Sequence, residues 1–323
     1  MIPTLFLISV ISFAIIDLPP GDILTSIIAQ AGEAAESTGG DGGGEMGRVE
    51  LLRQTYGIGR PLHERYLLWM RGLILRGDFG FSFLYNQPVS RLIWERLGLT
   101  VVLSLASTIF IWVVAFPIGL YSAVHQYSPG DYIATFFGFI GRATPNFLLA
   151  LILMFISVMW FGESAGGLFS PEFEDAPWSL AKFGDLLSNL LVPTIVIGTA
   201  GTAGAIRIFR ANLLDELNKQ YVTTARAKGK REWRLVFKYP VRVAINPFIS
   251  TMGWMLPELI SGATITSIVL NLPTTGPLLF NALQSQDMYL AGSFLMLLAF
   301  LTVIGTVISD LLLAWVDPRI RYE

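Results

Sequence analysis

Tyr221-Val222-Thr223-Thr224-Ala225-Arg226-Ala227-Lys228-Gly229-Lys230 sits inside residues 207–247, a polar stretch between two long apolar runs. Ten of the chain's 22 Lys and Arg fall in this stretch: Arg207, Arg210, Lys219, Arg226, Lys228, Lys230, Arg231, Arg234, Lys238 and Arg242. Only Asp215, Glu216 and Glu232 oppose them, so the segment carries +7 while the chain as a whole carries -2. In a chain that crosses a bilayer, the loops rich in Lys and Arg are the ones retained on the cytoplasmic side. The bias therefore sets an orientation as well as a place to look for function.

The composition requires lipid as the main solvent. The 323 residues are 53% hydrophobic and 14% charged, with a mean hydropathy of +0.59, whereas a soluble surface needs about 25% charged residues. Several apolar runs exceed the roughly 20 residues that cross about 30 Å of hydrocarbon. Cysteine is absent and only His63 and His125 occur. That leaves no disulfide framework, no thiolate chemistry and no metal cluster by spacing.

Outward from the basic stretch, the pattern predicts an all-α membrane protein with six spans: residues 2–16, 97–124, 132–161, 186–206, 248–270 and 288–316. The first span (1–16) lacks a basic leader and a small-residue cleavage site, so it is expected to be retained. Residues 17–96 form a sizeable external segment of mixed charge, with Gly39 to Gly44 as a flexible tip. Residues 97–206 hold spans two to four; Ser128-Pro129-Gly130-Asp131 is a turn, and an acidic loop with Glu172, Glu174, Asp175 and Asp185 precedes span four. Residues 207–247 are the basic loop, 248–316 hold spans five and six, and 317–323 are a tail. Both termini are then cytoplasmic.

Within the basic loop, Leu213 to Lys228 has helix-forming composition, and Gly229 stands where a helix would end after Arg226 and Lys228. A helix, a tight turn and a second helix are expected. By residues alone, this could be a docking element, a solvated basic face, or a patch for anionic lipid head groups.

Two charges fall within predicted spans, where an unpaired ion is costly. Arg142 and Glu258 each lie about ten residues in from the cytoplasmic side, at similar depth for a rise of 1.5 Å per residue. They could form a structural pair or line a route for solute. Asp310 stands near the inner end of span six, followed by Asp317 and Arg319 in the tail.

The run from Asn212-Leu213-Leu214 through Tyr221-Val222-Thr223-Thr224-Ala225-Arg226-Ala227-Lys228-Gly229 to Arg242-Val243-Ala244-Ile245-Asn246-Pro247 resembles the EAA loop of binding-protein-dependent ABC importer permeases, in the dipeptide, oligopeptide and nickel branch. Pro19-Pro20-Gly21-Asp22, Gly57 to Leu62, Arg76-Gly77-Asp78-Phe79-Gly80-Phe81-Ser82, Glu95 to Thr100, Thr144-Pro145-Asn146-Phe147 and Asp317-Pro318-Arg319-Ile320 follow the same branch in order. Three places depart from it, one of them Ser267 to Gly276, which lacks the Glu and the Pro-Gly turn usual near the outer end of span five. Thr223 replaces the acidic residue that names the motif, and Tyr239 stands where a His is frequent.

The resemblance implies a type I ABC importer permease fold in a bacterial or archaeal inner membrane. It implies no catalytic residue, metal or cofactor on this chain, because no GxxxxGK[ST] phosphate loop occurs. ATP and Mg would sit on two partner ATPase subunits, met by the coupling residues Tyr221, Thr223, Thr224, Ala225, Arg226, Ala227, Lys228 and Gly229. Ala225 and Ala227 are expected to let the loop helix seat closely in the ATPase. A second homologous permease, an extracytoplasmic solute-binding protein and membrane lipid complete the partners; nucleic acid is not among them. Cargo in this branch is di- or oligopeptide, with oligosaccharides or a nickel complex as alternatives.

Two other classes are weaker. A secondary transporter would show an internal repeat, and none is evident. An intramembrane hydrolase needs a base beside its nucleophile, and neither His lies deep in a span.

Overall fold

The computed structural model describes residues 2–17, 60–162, 166–250 and 263–316. The described chain is helical apart from one short hairpin. It falls into two compact units: Met1–Gly98 with Pro277–Phe300, and Leu99–Gly276 with Leu301–Glu323.

The first unit begins with helix α1 (Ile2–Asp17) and helix α2 (Leu62–Arg76). Their contact is aromatic: Phe13 stacks on Trp69 at 5.4 Å and meets Tyr66 edge-on at 5.5 Å, while the Ser9 and Tyr66 hydroxyls are 2.8 Å apart. Gly77, at φ 64°, ends α2 in the left-handed region; its N–H donates to the Leu73 carbonyl and the Asp78 N–H to the Gly72 carbonyl, each at 3.1 Å. Strands β1 (Phe81–Ser82) and β2 (Gln87–Pro88) then pair antiparallel.

That hairpin is tied down by Asp287, whose carboxylate is fully buried. It accepts from Ser82 Oγ at 2.6 Å, Leu84 N at 3.3 Å and Leu290 N at 3.2 Å. Burial pushes the Asp287 carboxyl above the ordinary carboxylate value of 3.8, and these three donors pull against it. For an acid raised on folding, the folded chain binds the extra proton, so the hairpin is most stable below the ordinary value and weakens as pH rises through the raised one. Hydrogen exchange at the Leu84 amide, corrected for intrinsic rate, should show protection falling with pH in that window. Asp287→Asn should flatten the decline.

The second unit is organised around helix α7, and its elements follow in chain order. Helix α3 (Val89–Val124) passes from the first unit into it. Helices α4 (Pro129–Ala143) and α5 (Asn146–Phe161) follow, then α6 (Leu180–Asn189) and α7 (Leu191–Leu217). The basic segment contributes α8 (Gln220–Ala227), α9 (Glu232–Lys238), α10 (Pro240–Ala244) and α11 (Asn246–Ser250). Helix α12 (Thr264–Val269) follows, whereas most of α13 (Thr275–Gln284) and the first part of α14 (Met288–Val316) belong to the first unit.

Helix α7 packs against α4, α5, α6, α10, α11 and α12. Its small residues also let α3 come close. A Cβ on Gly198 would come within 2.5 Å of the Phe110 ring, and one on Gly201 within 2.6 Å of Ile111 Cδ1. Close backbone approach of this kind is how helices associate where lipid supplies no hydrophobic drive.

Among the described residues, three helices are long and apolar enough to cross a membrane: α3, α7 and α14. Span six coincides with α14, whereas the other predicted spans are redrawn. Span two is a helix from Val89, eight residues before the expected start, because Arg91 and Glu95 pair at 2.7 Å on its polar first turns.

The predicted third span is two helices, α4 and α5, bent by 100°. Pro145 has no N–H and disfavours helical geometry at the residue before it, so Thr144 is extended (φ -81°, ψ 121°). Pro117, by contrast, lies inside α3 without ending it.

Span four runs to Leu217 instead of residue 206, and α6 is separate from it. Most of the predicted span five (251–262) and residues 18–59 of the external segment lie outside the described residues.

One ion pair fixes the end of α7. Ser128 Oγ caps α4 by accepting from Asp131 N at 3.2 Å, Pro129 occupies its first turn, and the Asp131 carboxylate turns across to α7. Arg210 meets it with both arms, Nε at 3.0 Å and Nη2 at 2.8 Å, and Tyr127 N donates at 3.0 Å. The Asp131 side chain is 4% exposed and that of Arg210 26%. Arg210→Ala leaves a buried carboxylate unpaired and should cost about 3–5 kcal/mol, while Asp131→Asn with Arg210→Gln should be milder. A double-mutant cycle on thermal unfolding in detergent reads the difference, and additivity would show that the pair is not coupled.

Candidate functional site

The basic segment folds as a compact cap on the last turns of α7. Because α7 continues to Leu217, residues 207–217 extend the spanning helix itself, and the expected helix from Leu213 to Lys228 is split at Asn218 and Lys219. Lys219, in extended backbone, precedes the eight-residue α8.

Helix α8 has two faces. Val222 (0% exposed) and Ala225 (8%) point inward, three residues apart, into a core with Phe209, Leu213, Leu235, Val236, Val241 and Ala244. Tyr221, Thr223, Thr224, Arg226, Ala227 and Lys228 are exposed. This corrects one expectation: Ala225 is small because it packs under the chain's own core, so of the two alanines only Ala227 faces outward.

Around the turn, polar contacts hold the outer face. Gly229 has φ 75° and donates from N to the Arg226 carbonyl at 3.0 Å, with open space around its Cα. Arg226 bridges the turn to Glu232 through Nη2 at 2.5 Å and Nε at 3.1 Å. That guanidinium holds the Glu232 carboxyl below the ordinary 4.5, so the bridge contributes above that value and is lost as pH falls through the lowered one. Both partners are half exposed, which limits the bridge to about 1 kcal/mol or less.

Tyr221 donates its hydroxyl to Glu216 at 2.5 Å, and burial together with that carboxylate raises its phenol above the ordinary range. Lys230 donates to the Tyr239 hydroxyl and lies 4.7 Å over its ring, lowering that phenol. Tyr239 thus answers the expected His position with a cation–π partner.

Of the remaining predicted residues, Arg142 and Asp310 are described and lie on different helices. Arg142 is exposed in the last turn of α4, beside the bend, with Nη1 4.0 Å from where a Cβ on Gly204 would stand. Glu258 lies outside the described residues, as do Asp317 and Arg319. Asp310 sits half-buried on α14. The sequence also holds one G-x-S-x-G string, Gly162 to Gly166. It follows helix α5, with Gly162 as a left-handed cap, and not the strand that a nucleophile elbow requires.

Sequence reading missed the Asp131–Arg210 pair and the inward face of α8. The second had a signal: Val222 and Ala225 are the apolar residues at helical spacing between Tyr221 and Arg226.

Valine at Gly229 is β-branched in the left-handed region and should cost about 1–3 kcal/mol from backbone strain alone. Asparagine tolerates that region and should cost less. Hydrogen exchange across residues 226–232 should therefore rise clearly in Gly229→Val and little in Gly229→Asn.

Residues 115–322 match the family described as "Binding-protein-dependent transport system inner membrane component". The chain is 35% identical to the oligopeptide transport system permease protein AppB of Bacillus subtilis (strain 168), over 99% of this chain and 96% of the relative. It is 30% identical to the oligopeptide transport system permease protein OppB of Haemophilus influenzae, over 99% and 96%. It is 28% identical to the dipeptide transport system permease protein DppB of Escherichia coli (strain K12), over 100% and 96%. A solved chain of the MetNI methionine ABC transporter in an inward-facing conformation superposes with a TM-score of 0.54 at 14% identity, covering 71% of this chain and 97% of that one. At that identity the likeness speaks for the fold.

Proposed function

This chain belongs to the family of binding-protein-dependent transport system inner membrane components, and from that premise we propose that it is a permease subunit through which an ABC importer takes up di- and oligopeptides. The peptide cargo is supported by the names of its relatives, two of them oligopeptide and one dipeptide permeases. Energy comes from separate ATPase subunits, since this chain carries no phosphate loop.

One observation carries the coupling role. Helix α8 offers an exposed face of Tyr221, Thr223, Thr224, Arg226, Ala227 and Lys228, while Val222 and Ala225 lock its other face onto the extension of a spanning helix. A partner that grips the outer face moves α7 as a rigid body, the kind of two-state displacement that alternating access requires. The expected assembly is this chain, a second homologous permease, two ATPases closing around ATP and Mg, and an extracytoplasmic solute-binding protein, with the basic segment on the cytoplasmic side.

The test is reconstitution. Proteoliposomes holding this chain with its permease partner and two ATPases, supplied with the loaded binding protein, should accumulate peptide only with ATP. Gly229→Val should abolish uptake and loosen ATPase binding while the chain remains membrane-inserted, and Gly229→Asn should retain both. Full uptake by Gly229→Val would remove the coupling role. Active transport by this chain without a second permease would remove the heteromeric arrangement, and uptake without ATPases would favour a secondary transporter.

A further inference from the structure

Helix α6 is built inside out. Its charged and amide side chains, Lys182, Asp185 and Asn189, share one face at helical spacing, and that face turns inward. Lys182 is 6% exposed and, among the described residues, has no acidic partner. Its Nζ donates to the Ala176 carbonyl at 2.6 Å and the Glu174 carbonyl at 3.2 Å, and lies 4.8 Å from the Phe169 ring centre and 5.5 Å from that of Trp178. Asp185 accepts from Ser170 N at 2.8 Å and Ser170 Oγ at 2.5 Å, and Asn189 donates to Asp185 at 3.1 Å. Every polar side chain that could address water on those three positions is spent on the loop beneath.

The opposite face is apolar and open. Leu180 is 92% exposed, Phe183 52%, Leu187 53% and Leu191 62%, spaced by three or four residues, with Trp178 at 66% beside them. A helix at an aqueous surface has the reverse arrangement. No charge interrupts the stripe, and Gly184 keeps it low between Phe183 and Leu187.

We propose that this face of α6 lies in the bilayer interface, between head groups and acyl chains, on the side opposite the basic segment. Continuity with the membrane favours lipid as the occupant. Only Leu190, itself in helical conformation, separates α6 from the spanning helix α7, whose other end enters the basic segment. Trp178 lies just before α6, and Trp160, 77% exposed, lies at the end of α5 on the same connection. Tryptophans at both edges of a loop between spans are what an interfacial belt supplies, and an apolar stripe of this kind sinks about 5–10 Å into the head-group and acyl boundary. The surface so formed anchors the start of α7 independently of what the importer carries.

The chain has no cysteine, so single nitroxide labels at Phe183→Cys and Leu187→Cys are specific in a transporter whose other subunits are cysteine-free. The assembled transporter is placed in nanodiscs of phosphatidylethanolamine and phosphatidylglycerol, and power saturation compares collisions with oxygen and with a water-soluble nickel chelate. Burial in lipid predicts oxygen accessibility exceeding that of the chelate several-fold at both positions. A dominant chelate signal would mean that the face meets water, and an immobilised label reached by neither would mean that a protein subunit covers it; each overturns the proposal. Should either variant fail to assemble, Ala181→Cys at the edge of the stripe gives the same reading.

Discussion

The carboxylate of Asp131 is held by both arms of Arg210, and this buried, bidentate contact settles where α7 ends relative to α4. Geometry of this kind fixes orientation as well as distance, because the guanidinium fork matches the carboxylate in one plane. Its position matters more than its energy. Arg210 lies one residue from Phe209 and three from Leu213, and both apolar side chains are within the core that carries the cap on α7. Asp131 in turn depends on a local device, since the Ser128 cap and Pro129 start α4 at the residue that brings the carboxylate round. A turn, a cap and an ion pair 79 residues apart thereby become one constraint.

From that point a continuous line of packing runs between the outer face of α8 and the membrane. Val222 and Ala225 touch the core that includes Leu213 and Phe209; Phe209 stacks near Phe116 of α3 at 4.9 Å, and Ile111 belongs to the same cluster. Close-packed interiors transmit displacement because they have no voids to absorb it. The exposed bridges around the turn, Arg226–Glu232 and Lys230–Tyr239, shape the outer face of the cap; screened by water, they contribute little against a dry core.

Much of this was legible in advance where a single physical cause acts. The basic segment follows from charge, span six from its length of apolar residues, and the turn at Gly229 from the one residue that adopts φ 75° without strain. The reading failed where two causes compete. Pro145 breaks span three while Pro117 leaves α3 whole, although each stands within a predicted apolar span. Hydropathy placed the end of span four at residue 206, but Arg207 and Arg210 stay helical because one stacks over Phe139 at 5.6 Å and the other finds Asp131. The role of Ala225 could not be read from its size, since small residues serve equally for an outer fit and an inner one.

The two ends of α7 use amphipathicity in opposite senses. At one end α6 turns its charges inward and Leu180, Phe183 and Leu187 out; at the other α8 turns valine and alanine inward and its arginine and lysine out. A charged face would be costly in lipid, and an apolar face would be costly in water. Each helix therefore resists being moved to the other's environment, and α7 cannot slide along its own axis without exposing one of them. Under the proposed arrangement, with α6 in the interface and a partner on α8, tilting about the α6 end is the motion left to α7.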